Sequence, residues 1–108
     1  MILWTAIFGV VLINTGANAA SIGSATGGHV LAEQSCADCH VIAAGVKPRR
    51  LVDAPSFPDL VRDPKFTPFR LRSFLQTPHQ VMPNFILSTR DVDDLVAYLL
   101  RLQKQLSK

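Results

Sequence analysis

Charge of either sign is scarce in this chain: 18% of its 108 residues are charged, Lys+Arg 11 against Asp+Glu 8, for a formal net charge of +3. Such a balance, spread along the sequence, offers no concentrated basic face and argues against nucleic-acid binding. Cysteine is scarcer still. Two residues are too few for a small fold held together by disulfides. No segment sustains a two-residue alternation of apolar and polar side chains, which excludes a half-buried sheet. At 48% hydrophobic the chain is nevertheless too apolar for a disordered tail, and its length suits one domain.

The first twenty residues hold no Lys, Arg, Asp or Glu, and their apolar run over residues 2–13 is broken only by Thr5 and Gly9. Ala17-Asn18-Ala19 then places small residues where a signal peptidase reads. The run is shorter than the roughly 20 apolar residues of a membrane-spanning helix. Residues 1–19 are therefore expected to be a secretory signal peptide cleaved after Ala19. The alternative is an uncleaved anchor, since no basic residue precedes the run. Cleavage leaves 89 residues, with Met82 the one methionine among them. A domain of that size buries only about 60–65% of its unfolded surface, so a large apolar cofactor would add to its core.

Residues 20–28, rich in Gly, Ser and Ala, are expected to be a flexible leader to a domain over residues 29–106. A short helix is predicted over residues 29–36, with Thr26 as its cap. Pro48, Pro55, Pro58 and Pro64 make the next stretch mostly loop, with one helical turn at residues 57–61. Thr67-Pro68 is a cap and first helical residue. That helix is expected to turn Leu71, Phe74 and Leu75 inward and to stop before Pro78. The last helix has the plainest pattern. Ser88 is its N-cap, Asp91, Asp93 and Asp94 lie in its opening turns, and Val92, Leu95, Val96, Leu99, Leu102 and Leu106 form one apolar face. The fold is expected to be all-α with irregular loops.

Cys36-Ala37-Asp38-Cys39-His40 carries the chemistry. Two thiols three residues apart at the end of a helix can reach both vinyl groups of one haem and form thioethers. The next residue, His40, then lies under the iron as a ligand. Background residue frequencies produce this pattern in roughly one chain of this size in a thousand, so it is specific. A thioredoxin-like redox pair needs a strand–helix–strand context that is missing here. A zinc site needs a fourth ligand, for which only His29 and His79 remain, at spacings unlike the usual patterns. A disulfide across two residues closes too small a loop to stabilise much. For the sixth position on iron the candidate is Met82, 42 residues after His40 and beside Pro83, outside any apolar helical face. His79, in the same loop, is the competitor, and an open sixth site the remaining choice. His29 is expected at the surface.

These stretches resemble the class I c-type cytochromes of the small, monohaem bacterial periplasmic type. The likeness runs from about Gly28 to Leu102 and takes in the Cys36–His40 motif, Ala54-Pro55-Ser56-Phe57, Met82-Pro83-Asn84-Phe85 with Leu87-Ser88, and Asp94-Leu95-Val96-Ala97-Tyr98-Leu99. The resemblance implies a cytochrome c fold of three to five short helices around one covalent haem c, with Cys36 and Cys39 bonded to it and His40 and Met82 on the iron. It implies that the first and last helices cross near a right angle, Gly28 and Ala32 meeting Leu95 and Tyr98. It implies a proline carbonyl accepting the His40 Nδ1 proton, Pro55 or else Pro48, and Phe57, Leu60, Leu71, Phe74, Leu75 and Phe85 lining the pocket. The chain departs from the longer mitochondrial pattern: it has no Gly-Pro-Asn-Leu run, and its His40–Met82 segment is short.

The implied function is one-electron transfer in the periplasm, without transformation of a substrate. The carrier would be diffusible or the haem subunit of a dehydrogenase, with redox-partner proteins such as a periplasmic dehydrogenase or a terminal oxidase. A membrane enters only if the N-terminal segment stays uncleaved. The alternative is a haem protein that senses or binds a gas or peroxide at an open sixth site. Lys47, Arg49, Arg50, Arg62, Lys65, Arg70 and Arg72 are read first as a solvated surface, with steering toward an acidic docking face as the alternative, and Arg49, Arg50 or Arg70 would pair with haem propionates.

Overall fold

The computed structural model describes residues 22–77, 82, 83 and 85–108. The expected signal peptide, residues 20 and 21 of the expected leader, and His79 lie outside them. The described residues form four helices and no strand: α1 (Ala25–Ser35), α2 (Phe57–Arg62), α3 (Pro68–Gln76) and α4 (Thr89–Leu106). The chain is all-α, as its patterning requires.

Each helix begins on a hydroxyl that satisfies one of the backbone N–H groups left bare by the first turn. Ser24, Ser56, Thr67 and Ser88 accept from Gly27, Asp59, Arg70 and Asp91 respectively. At α4 the cap is reciprocal. The Asp91 N–H donates to Ser88 Oγ at 3.1 Å, and the Ser88 N–H donates back to Asp91 Oδ2 at 2.9 Å. The Ser88 hydroxyl also donates to Asp91 Oδ2 at 2.7 Å, and it and the Ser88 N–H hold the Asp91 carboxyl below its ordinary value.

The start of α1 corrects two expectations. The helix begins at Ala25, so residues 25–28 are helical rather than leader, and Ser24 rather than Thr26 is the cap. The reason is tertiary: the Ser24 N–H also donates to the Asp94 carboxylate, 70 residues away on α4. Helix formation over two poor helix formers, Gly27 and Gly28, is supported by docking onto α4.

The core lies where α1 and α2 pack on α4. Ala32, Ile42, Phe57, Val61, Leu95, Tyr98, Leu99 and Leu102 form one buried cluster. Gly28 makes the α1–α4 approach possible. A Cβ placed there would lie 2.0 Å from the Asp94 carbonyl oxygen and 2.8 Å from Tyr98 Cβ. The expected meeting of Gly28 with Tyr98 is therefore present. Gly23 is held both by φ +101° and by closeness to Asp93, whose carbonyl oxygen a Cβ would meet at 2.2 Å.

Gly28→Ala would favour α1 by about 1 kcal/mol through helix propensity. It must also push two backbones apart; overpacking typically costs about 1–3 kcal/mol, and a Cβ only 2.0 Å from the Asp94 carbonyl oxygen sits at the severe end of that range. We expect the clash to win, with a clear fall in the denaturant midpoint. A midpoint equal to wild type would mean that the two helices separate at no cost.

Two expected positions change. Phe74, assigned inward, is exposed, and α3 has no buried residue at all; Leu71 and Leu75 are its half-buried contacts with the core. A 9-residue helix lying along one side of the cluster can present only a narrow stripe to it, which those two leucines fill. His29, assigned to the surface, is half-buried with its ring centroid 5.0 Å from that of Tyr98. The α1–α4 approach at Gly28 brings the neighbouring residue over the tyrosine.

Candidate functional site

The Cys36–His40 motif is a direct extension of α1. Cys36 caps the helix with its N–H on the Ala32 carbonyl at 2.9 Å. Cys39 and His40 both donate to the Cys36 carbonyl, at 3.1 and 2.9 Å. These bonds wind the motif into one further turn. Both cysteines are free thiols and both are half-buried. Burial pushes the Cys36 thiol up to about 11. It is thus protonated at neutral pH, the reverse of the lowered value that a redox-active thiol pair needs.

His40 is half-buried, and its ring is fixed from two sides. Nδ1 donates to the Pro55 carbonyl at 2.7 Å, since a carbonyl oxygen can only accept. Of the two prolines left open by the sequence, Pro55 makes the bond and Pro48 does not. Phe57 then returns the contact. Its N–H donates to the Val41 carbonyl at 2.8 Å, and its ring centroid lies 5.5 Å from that of His40. Residues 55–57 are thereby laced against residues 40–41. With Nδ1 committed as a donor, Nε2 carries the imidazole lone pair that a metal would take.

A third attachment was absent from the sequence reading. The Tyr98 hydroxyl, deep in the core, donates to the Ile42 carbonyl at 2.7 Å, two residues past His40. Burial raises this hydroxyl's pKa above its ordinary value, with Arg101 pulling the other way. Tyr98 is legible in the sequence as an aromatic on the inner face of the last helix. Which carbonyl its hydroxyl meets depends on the path of a loop 56 residues away.

Met82 is half-buried, between α3 and the N-cap of α4. The chain leaves much aromatic surface bare on the elements that flank it: Phe69 and Phe74 on α3 are 77% and 54% exposed, and Phe85 is 41% exposed. Phe57 is buried, while Leu60, Leu71 and Leu75 are half-buried against the core. The donor set and this surface fit a covalently attached haem. There are two free thiols within one turn, an imidazole with one nitrogen already committed, a thioether beyond, and apolar side chains for a large flat group to cover. A zinc ion finds no comparable support, because among the described residues no three His, Cys, Asp or Glu are grouped to hold a metal.

Of the basic residues, Arg49 is engaged with Asp38 inside the motif, Nη1 to Oδ1 at 2.7 Å. The Arg49 and Arg50 N–H groups donate to the Ala37 and Asp38 carbonyls, so this loop is tied to the motif by its backbone as well. Arg72 pairs with Asp93 of α4. No described helix is long and apolar enough to cross a membrane.

Comparison with known proteins points the same way. Residues 23–99 match the family model described as cytochrome c oxidase, cbb3-type, subunit III. The chain is also 37% identical over 90 residues to cytochrome c-552 of Bradyrhizobium diazoefficiens, an alignment covering 83% of this chain and 86% of that protein. No solved structure matches.

Proposed function

The chain belongs to the c-type cytochromes, electron carriers with covalently bound haem c, and from that premise we propose that Cys36 and Cys39 form the two thioethers, that His40 and Met82 are the axial ligands of the iron, and that the protein shuttles single electrons in the periplasm. The observation that carries this reading is the placement of Cys36-Ala37-Asp38-Cys39-His40 as one turn at the end of α1, with His40 Nδ1 already bonded to Pro55.

When bound, the haem iron supplies a one-electron Fe(III)/Fe(II) couple. The polypeptide supplies constancy around it. The Pro55 carbonyl keeps the His40 ring in one tautomer and orientation and makes it a stronger donor. Phe57 braces the same ring. The Met82 thioether favours the ferrous state and raises the reduction potential. The α1–α4 pair and the Tyr98–Ile42 bond hold the motif to the core, so its residues have little freedom to rearrange as the electron comes and goes.

The charge-free start of the chain and Ala17-Asn18-Ala19 support export, with cleavage after Ala19 and a periplasmic domain. The partners are redox proteins there. A dehydrogenase would donate electrons to the diffusible or subunit-bound carrier, and a terminal oxidase would accept them; the description of the matching family supports the second.

An absorption spectrum of the purified protein tests the assignment. His/Met ligation of low-spin ferric haem predicts a weak far-red charge-transfer band that vanishes on reduction. A haem spectrum without the band, with immediate carbon monoxide uptake by the reduced form, would instead identify a gas- or peroxide-binding protein with an open sixth site.

A further inference from the structure

We propose that the Arg72–Asp93 ion pair is a clasp across the base of the segment that carries Met82, and that it sets how firmly the Met82 sulfur holds the iron. The inference rests on Met82 being the axial ligand.

Four ion pairs join the described residues, and three are local or open to water. His29–Glu33 and Arg62–Asp59 each lie within one helix, and Arg49–Asp38 is 66% and 58% exposed. Arg72–Asp93 differs on both counts. Arg72 Nη1 donates to Asp93 Oδ1, the side chains are 31% and 20% exposed, and the pair joins α3 to α4 across 21 residues. Partial burial shields it from the screening that makes most surface pairs negligible. Asp93 also lies near the N-terminus of α4, where the helix dipole favours its negative charge.

The clasp matters because α3 is poorly anchored otherwise. The helix buries no residue fully and touches the core through half-buried Leu71 and Leu75. The chain leaves α3 at Gln76, passes Met82 and re-enters helix after Ser88. Arg72 stands one helical turn before that exit, and Asp93 little more than one turn after that entry. Their bond therefore fixes the separation of the two points from which Met82 is hung. A tether with fixed ends keeps its ligand at high effective concentration, whereas free ends dilute it. Met82 competes with any added ligand for one coordination position, so the apparent affinity of the competitor reports that concentration.

Imidazole binding to the ferric holoprotein is the test, made on wild type, Arg72→Gln, Asp93→Asn and the double variant. Each single change is expected to tighten imidazole binding by about tenfold, and the double variant no more than either, because the two residues act through one bond. Arg62→Gln, which removes a pair within α2, should leave the affinity unchanged. Arg72→Lys keeps the charge and most of the stem, and should fall between wild type and Arg72→Gln even where the neutral variants accumulate poorly.

Denaturant midpoints are measured on the same samples. A lower midpoint with unchanged imidazole affinity would make the pair a structural contact only and overturn the clasp. Additive single effects would overturn it too. The far-red band separates the premise from the inference. Its absence in wild type removes Met82 as the ligand, and the clasp with it. Its presence in wild type with no change in affinity among the variants removes the clasp alone.

Discussion

Met82→Ala is expected to lower the reduction potential by about 100 mV or more, abolish the far-red band, and admit carbon monoxide or cyanide readily. The thioether is a soft donor that favours Fe(II). Removing it leaves water, or nothing, in its place and stabilises Fe(III). No other thioether can substitute once the proposed signal peptide is cleaved and Met1 with it, because the chain has no third methionine. Met82→His should remain low-spin with a low potential, which separates loss of the sulfur from loss of the loop. Spectroelectrochemical titration reads both. His79 is the control, as the competing ligand in the same segment. If His79→Ala shifts the potential as far as Met82→Ala does, the ligand has been misassigned.

The joint substitution Cys36→Ala with Cys39→Ala should abolish covalent attachment. Wild-type haem is expected to stay with the polypeptide in acidified organic solvent, and the double variant to release it or never to bind it. Both cysteines and His40 sit on one turn, set by the bonds of Cys39 and His40 to the Cys36 carbonyl, so all three would hold one bound group together. The loss should also destabilise the fold, since a domain of this size has little apolar core beyond its helix contacts. Haem retained by the double variant after extraction would contradict the attachment.

Three of the four helix starts were legible in the sequence. Ser56, Thr67 and Ser88 each cap by bonding to an N–H three residues ahead, an interaction contained in the local chain. The heptad-like spacing of α4 likewise identified its buried face, including Leu95, Leu99 and Leu102. The haem motif was legible because thioether attachment and ligation by the next residue demand a fixed short spacing. In each case the determining contacts span only a few residues.

The remainder required the folded chain. The start of α1 depends on Asp94 reaching the Ser24 N–H from 70 residues away, and the local sequence pointed to Thr26 instead. Pro55 and Pro48 both satisfied the need for a carbonyl near His40. Only the lacing of residues 55–57 against residues 40–41 chose between them. Phe74 fits an inward stripe by periodicity but lies outward, because α3 meets the core along a strip that Leu71 and Leu75 already fill. Asp93 and Asp94 read in sequence as acids at a helix N-terminus. In the fold they part, one to Arg72 on α3 and the other to the start of α1. Local sequence determined the helices and the haem motif, because helix periodicity, capping and the motif's spacing act over three or four residues. Tertiary structure decided the partners, because a hydrogen bond or an ion pair across 15 to 70 residues exists only once packing has brought the two chain segments together.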